Sequence, residues 1–178
     1  MSEVIGSFTD CRRFVAADAS RMDGSYLHVL LRNPQCRWLL RLRITEWVSN
    51  TQGGPFGGFL RWRLQARGLR LGYTIPINRL GPGIRLPHWG TIVINGGATV
   101  GSGCQISVDV VIGGNNNGVP SIGNDVFISP GVKIIGKVRV GDGAILLPGA
   151  VVIDDVPSRE MWGGVPAVRK KTLTDDHA

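Results

Sequence analysis

The chain has 178 residues, 43% of them apolar, which suits one sizeable core, and it carries a net charge of +7. No apolar run approaches the roughly 18 residues needed to span a bilayer, and residues 1–10 lack the basic-then-apolar order of a secretory signal. Three cysteines, an odd number without motif spacing, argue against a disulfide framework and for a reducing cytoplasm.

Residues 1–26 show no sustained period. From Leu27 to Val48 the spacing is helical: Leu27, Leu30 and Leu31 share a face, Pro34 interrupts, and Trp38, Leu39, Leu42 and Ile44 resume a stripe between Arg37, Arg41 and Arg43. Gly53-Gly54-Pro55 and Gly57-Gly58 mark a loop, and a short helix is predicted over residues 59–67. Residues 28–70 hold eight Arg and one acid, Glu46, so this stretch carries the whole net charge. It suits an anionic lipid surface or a phosphorylated substrate, or else a solvated helix face. There is no RNA-binding signature, and no nucleic-acid partner is expected. Residues 1–71 are therefore read as an Arg-rich helical region.

From Thr74 the period changes to six. Leu80, Leu86 and Ile92 are followed, after a two-residue slip, by Ile94, Val100, Ile106 and Ile112, and beyond an insertion by Ile122, Ile128, Ile134, Val140, Leu146 and Val152. Four residues after most of them stands a second small or aliphatic residue, among them Ala98, Cys104, Val110, Val126, Val132, Val138, Ala144 and Ala150. A strict six fits a solenoid in which each hexapeptide is one short strand and one corner, three to a turn. The 26 glycines suit its many corners. The solenoid is placed at 72–156, with a projecting loop at 113–121 whose Asn115-Asn116-Asn117-Gly118 run is turn-prone, and 157–178 follows as a C-terminal segment.

His88 breaks the bland composition of the repeat beside the slip. An imidazole titrates near neutrality and can take a proton from an attacking hydroxyl and pass it to a leaving group. His28 and His177 lie outside the repeat. Cys104 reads as core, and Cys11 and Cys36 have no base or acid at useful spacing. No Walker loop, metal-ligand cluster or paired-carboxylate motif occurs.

The stretches Leu86-Pro87-His88-Trp89-Gly90-Thr91-Ile92-Val93-Ile94, Ile112-Gly113-Gly114, Ile122 through Val156-Pro157, and Gly163-Gly164-Val165-Pro166-Ala167 resemble the hexapeptide-repeat acyltransferase superfamily. Within it they resemble the serine acetyltransferase-like branch, which includes capsule, exopolysaccharide and colanic-acid O-acetyltransferases. The resemblance covers about residues 72–171. It implies a mainly β fold, a left-handed parallel β-helix with a short helical N-terminal region. The left hand comes from the likeness, because parallel crossovers are ordinarily right-handed.

The resemblance further implies an O-acetyltransferase using acetyl-CoA as co-substrate, without a metal, in a homotrimer. His88 matches the general base. Gly114 matches a backbone oxyanion donor and CoA contact, though Gly113-Gly114 can equally be a loop entry. Ser129, Pro130, Pro148 and Gly149 match positions along the pantetheine arm. Arg169, Lys170 and Lys171 follow the terminal Val-Pro-Ala, as CoA-phosphate contacts or as a solvated basic tail. The loop at 113–121 matches one that borders the acceptor site of an adjacent subunit.

Three departures bear on the acceptor. Pro87 stands where serine acetyltransferases carry an Asp, Tyr73 where an Asp orients the His, and Gly118-Val119 where an Arg-His pair occurs. Without those groups a zwitterion is poorly held. The expected acceptor is therefore a glycan or lipid-linked saccharide hydroxyl of a bacterial surface-polysaccharide precursor, with Trp89 as a stacking surface. The alternative is free serine or another small alcohol. Asp109 is a candidate to orient His88, because Ile106 is expected one coil above Leu86; its alternative is a solvated corner. The expected location is cytoplasmic, with peripheral contact at the inner face of the membrane through the Arg-rich arm. A non-catalytic scaffold is the reading from another class, and the retained His88 counts against it.

Overall fold

The computed structural model describes residues 3–22 and 32–173. Its first element is a helix absent from the sequence reading, α1 (Phe8–Ser20), capped by Ser7, whose Oγ accepts from the Asp10 amide at 3.1 Å. Its buried residues are Cys11, Phe14 and Asp18. The third is an acid, so the stripe reads as interrupted in sequence.

The second helix, α2 (Pro34–Thr51), begins at Pro34, a residue favoured in the first helical turn, after an extended Asn33. Leu27, Leu30, Leu31 and His28 lie outside the described residues. The third, α3 (Gly54–Leu71), is twice the expected length, because the glycines taken for a loop are its first turns. Gly57 and Gly68 are helix–helix contact points. A Cβ on Gly57 would meet Ser49 Cα of α2 at 3.5 Å, and one on Gly68 would meet the Tyr73 carbonyl oxygen at 2.8 Å. The helix ends at Gly72, in the left-handed region at φ 82°.

The solenoid follows as expected: a left-handed parallel β-helix of about five turns. Residues 73–74, 92–94, 110–113, 133–135 and 151–152 form one face; 99–100, 121–122 and 139–140 a second; 105–106, 127–128, 145–146 and 160–163 a third. One coil is eighteen residues where nothing is inserted, so Ile92 pairs with Val110 and Ile128 with Leu146. Across the loop the step widens, and Ile112 pairs with Ile134. The two-residue slip is a longer strand: Ile92 and Ile94 both point inward around Val93. Ala98, Cys104, Ile106, Val110, Ile112, Val126, Ile128, Val132, Ile134, Ala144, Leu146, Ala150 and Val152 are fully buried. A fully buried Ile or Leu contributes about 1.5–3 kcal/mol.

The segment after 156 extends this architecture. Residues 160–163 add a parallel strand to the third face, and 168–172 fold back antiparallel along it.

Arg43, expected on the basic surface, is instead fully buried. Its Nε bonds Asp18 Oδ2 of α1 at 2.8 Å, and an Nη bonds Glu46 Oε2 at 3.1 Å. It also donates to the carbonyls of Leu80 and Gly81 in the first coil, and stacks 4.9 Å from the Phe14 ring centre. Asp18 in turn accepts from the Ile84 amide and Glu46 from the Asn78 amide. One guanidinium thus ties two helices to the solenoid.

Candidate active site

His88 lies at the corner between the third face and the first, on the first coil, and its side chain is exposed. Two side chains hold its backbone. The Tyr73 hydroxyl donates to the His88 carbonyl at 2.7 Å, and Gln35 Nε2 of α2 donates to the Pro87 carbonyl at 3.1 Å. Tyr73 is 2% exposed and packs edge-on against Trp38, ring centres 5.1 Å apart. Burial raises its hydroxyl pKa, so it remains a donor at any ordinary pH. Sequence reasoning missed both roles, since Gln35 and Tyr73 act on backbone carbonyls far away in the chain. The Pro87 carbonyl that Gln35 helps to fix belongs to a residue that itself stiffens the approach to His88.

The corner column beneath His88 contains several of the expected co-substrate contacts. The Gly131 amide bonds the Val108 carbonyl at 3.0 Å, and the Gly149 amide bonds the Pro130 carbonyl at 2.9 Å. Pro130, Pro148 and Gly149 are exposed there, whereas Ser129 is buried. Arg169, Lys170 and Lys171 lie on the exposed returning strand at the far end of the third face, and Arg169 stands 3.6 Å from Glu160. From the coil of His88 to the returning strand is five strand steps of about 4.8 Å, roughly 24 Å.

Asp109 occupies the same column one coil below His88, in the left-handed region at φ 60°, where Asp is tolerated and Gly131 and Gly149 serve in the following coils. Its carboxylate bonds Lys133 Nζ at 2.8 Å, on the next coil, and its side chain is 62% exposed. The partner the structure gives Asp109 is therefore Lys133, which leads away from His88.

Gly114 is at a different corner, where the first face ends and the loop departs. A Cβ there would lie 2.8 Å from Val119 Cγ1. The loop is closed by reciprocal bonds between Asn115 and Gly118, and Asn115 packs over Gly136, whose Cβ would meet its Nδ2 at 2.6 Å. Within one protomer the first face separates Gly114 from His88.

A cavity of about 370 Å³ opens beside His88, between α1, α2 and the first coil. Arg21, Asn33, Cys36, Arg85, Pro87 and His88 are among its walls, and none of the described wall residues is an acid. Trp89 stands 64% exposed next to His88. All three cysteines are buried, and burial raises each thiol pKa, that of Cys104 up to about 12. None is a nucleophile at neutral pH.

Comparison with known proteins follows this geometry. Residues 120–154 match the bacterial transferase hexapeptide (six repeats) model. A serine acetyltransferase of Synechococcus elongatus is 35% identical over 162 residues, covering 88% of this chain and 64% of that protein. One from Buchnera aphidicola is 31% identical over 150 residues, covering 80% of this chain and 53% of that protein. The chain thus spans about half to two thirds of the length of these relatives. The crystal structure of Vibrio cholerae serine acetyltransferase superposes with a TM-score of 0.77 at 27% identity, over 94% of this chain and 68% of that one. The Neisseria gonorrhoeae enzyme gives 0.75 at 27%, over 93% and 67%. The structural likeness therefore extends beyond residues 72–171 into the helices.

Proposed function

We infer, from a chain of the hexapeptide-repeat acyltransferase superfamily, an acetyl-CoA-dependent O-acetyltransferase whose acceptor is a small hydroxyl compound bearing a carboxylate, of the serine type. The observation that carries it is an exposed His88, its backbone fixed from two sides, on the rim of a cavity with two guanidinium groups among its described walls. The named relatives are serine acetyltransferases, which favours the same acceptor.

In this reading His88 takes the proton of the acceptor hydroxyl as its oxygen attacks the thioester carbonyl carbon. The carbon–sulfur bond then breaks, and the same imidazole returns the proton to the departing thiolate. The developing oxyanion needs a donor, and the Gly114 amide is proposed for it. Because Gly114 and His88 stand at different corners of one chain, the donor comes from a neighbouring copy, and the active form is a homotrimer with a site in each of three clefts. Acetyl-CoA lies along the corner column, its pantetheine arm beside Pro130, Pro148 and Gly149 and the buried Ser129, and its phosphates toward Arg169, Lys170 and Lys171. Arg21 and Arg85 face the acceptor carboxylate. Asp109 is kept as a candidate positioning residue one coil from His88, its carboxylate held by Lys133.

A second reading keeps the chemistry and changes the acceptor to a sugar hydroxyl of a surface-polysaccharide precursor. It is favoured by Pro87, Tyr73 and Gly118-Val119, which replace charged or His-orienting groups of serine acetyltransferases, and by exposed Trp89 as a stacking platform. The deciding experiment compares kcat/KM for serine with that for oligosaccharide from the host polysaccharide. Efficient acetylation of serine supports the first reading; acetylation of the glycan alone replaces it with the second.

A further inference from the structure

We propose that the outward face of α3 is a docking surface for an anionic lipid bilayer, with Phe56, Phe59, Trp62 and Leu69 entering the interface while Arg41, Arg63, Arg67 and Arg70 meet lipid phosphates. The helix is two-sided. Its buried residues, Gly57, Leu64 and Gly68, turn inward. On the opposite side Phe56 is 58% exposed, Phe59 46%, Trp62 64% and Leu69 68%, large apolar groups at near-helical spacing. The Phe59 and Trp62 rings lie 6.0 Å apart, and the Arg63 guanidinium stands 5.5 Å from the Phe59 ring centre.

Charge borders this strip on one side. Arg37 and Arg41 of α2 and Arg67 and Arg70 of α3 line a shared groove of about 290 Å³. The Arg41 pKa is lowered by burial and then by the neighbouring charges of Arg67, Arg37 and Arg63, the mark of crowded cations. From residue 47 to 108 the sequence contains no Asp or Glu, and the acid of α2, Glu46, is buried against Arg43. Neither α2 nor α3 supplies a second acid to set against Arg41, Arg63, Arg67 and Arg70. Apolar aromatics beside a row of arginines are the complement of an interface whose phosphates lie above an acyl layer. A second copy of α3 would set the two arginine rows against each other, and an acidic peptide offers no apolar layer. No helix of the described residues is long and apolar enough to cross a membrane, so the contact is peripheral. The inference does not depend on the acetyl-transfer reading.

Sedimentation of the full chain with extruded vesicles tests it, using phosphatidylcholine alone and phosphatidylcholine with phosphatidylglycerol. Binding should require phosphatidylglycerol and weaken with salt. Arg63→Gln/Arg67→Gln/Arg70→Gln should lower partitioning by about fivefold per arginine, on the order of 100-fold for the three. Phe59→Ala/Trp62→Ala, altering only exposed side chains, should weaken binding while leaving the preference for anionic vesicles. Negligible binding to both vesicle types overturns the proposal, as does a triple variant that binds like the parent. So does a fall in oligomer size for the aromatic variant, which would assign the face to a second copy. Full displacement from vesicles by millimolar inorganic pyrophosphate would make the site a soluble-phosphate pocket and also overturn it.

Discussion

At the scale of single residues the account rests on His88 and the two side chains behind it. His88→Ala should leave folding intact, since the imidazole is exposed, and lower acetyl transfer by about 100-fold or more, the scale of a general base. Thioester cleavage with a competent acceptor measures this; near-parental rates would remove His88 from the mechanism. Tyr73→Phe deletes a 2.7 Å bond to the His88 carbonyl at a cost of about 0.5–1.5 kcal/mol. The variant should stay folded, with a lower kcat and a nearly unchanged KM for acetyl-CoA; an unaltered kcat would show that the bond does not position the base. His88 stands out in the sequence because it is the one histidine between residues 72 and 171. Tyr73 and Gln35 do not, because a bond to a distant backbone carbonyl leaves no spacing signal. The stacking arithmetic that placed Asp109 one coil from His88 was sound, but it said nothing of Lys133 on the following coil, which takes the carboxylate.

Elements divide sharply by period. The solenoid was readable almost to the residue, since each inward position is fixed by the coils above and below and a six-residue repeat has no competing interpretation. The helices were read poorly where local rules conflicted with packing. Glycines at 57 and 68 look like helix breakers, yet they let α3 approach Ser49 and Tyr73 closely. Asp18 and Arg43 look like surface charges, yet they form the core of the helical layer. Arg43→Met should therefore destabilise the protein by about 3–5 kcal/mol, leaving two buried carboxylates and the Leu80 and Gly81 carbonyls without their donor. Denaturant unfolding checks this, and a loss below 1 kcal/mol would contradict the hub. Burial raises the Asp18 and Glu46 pKa values, against the opposing pull of Arg43. A carboxyl raised in the folded state contributes stability in full below its unfolded value near pH 4, and loses it as pH rises through the folded value. Glu46→Gln should thus flatten any decline in stability on raising the pH above about 4; an unchanged slope would mean that the carboxyl does not titrate differently on folding.

At the scale of the whole molecule, the proposed pairing of Gly114 with His88 across different corners of the prism predicts neighbouring copies. Light scattering at micromolar concentration should give about three times 19.2 kDa. An active monomer would contradict the shared cleft. The fold class follows from the repeat and its resemblance, but the grouping of Arg21 and Arg85 around one cavity does not, because only the packing of α1 against the first coil brings them together. The most direct test of the account is transfer of label from isotopically labelled acetyl-CoA to serine, followed by mass spectrometry, with the parent chain and His88→Ala in parallel. Label should appear on the serine hydroxyl with the parent chain and fall by about 100-fold or more with the variant. A folded parent chain that transfers acetyl to neither serine nor glycan, or a variant as active as the parent, would contradict it.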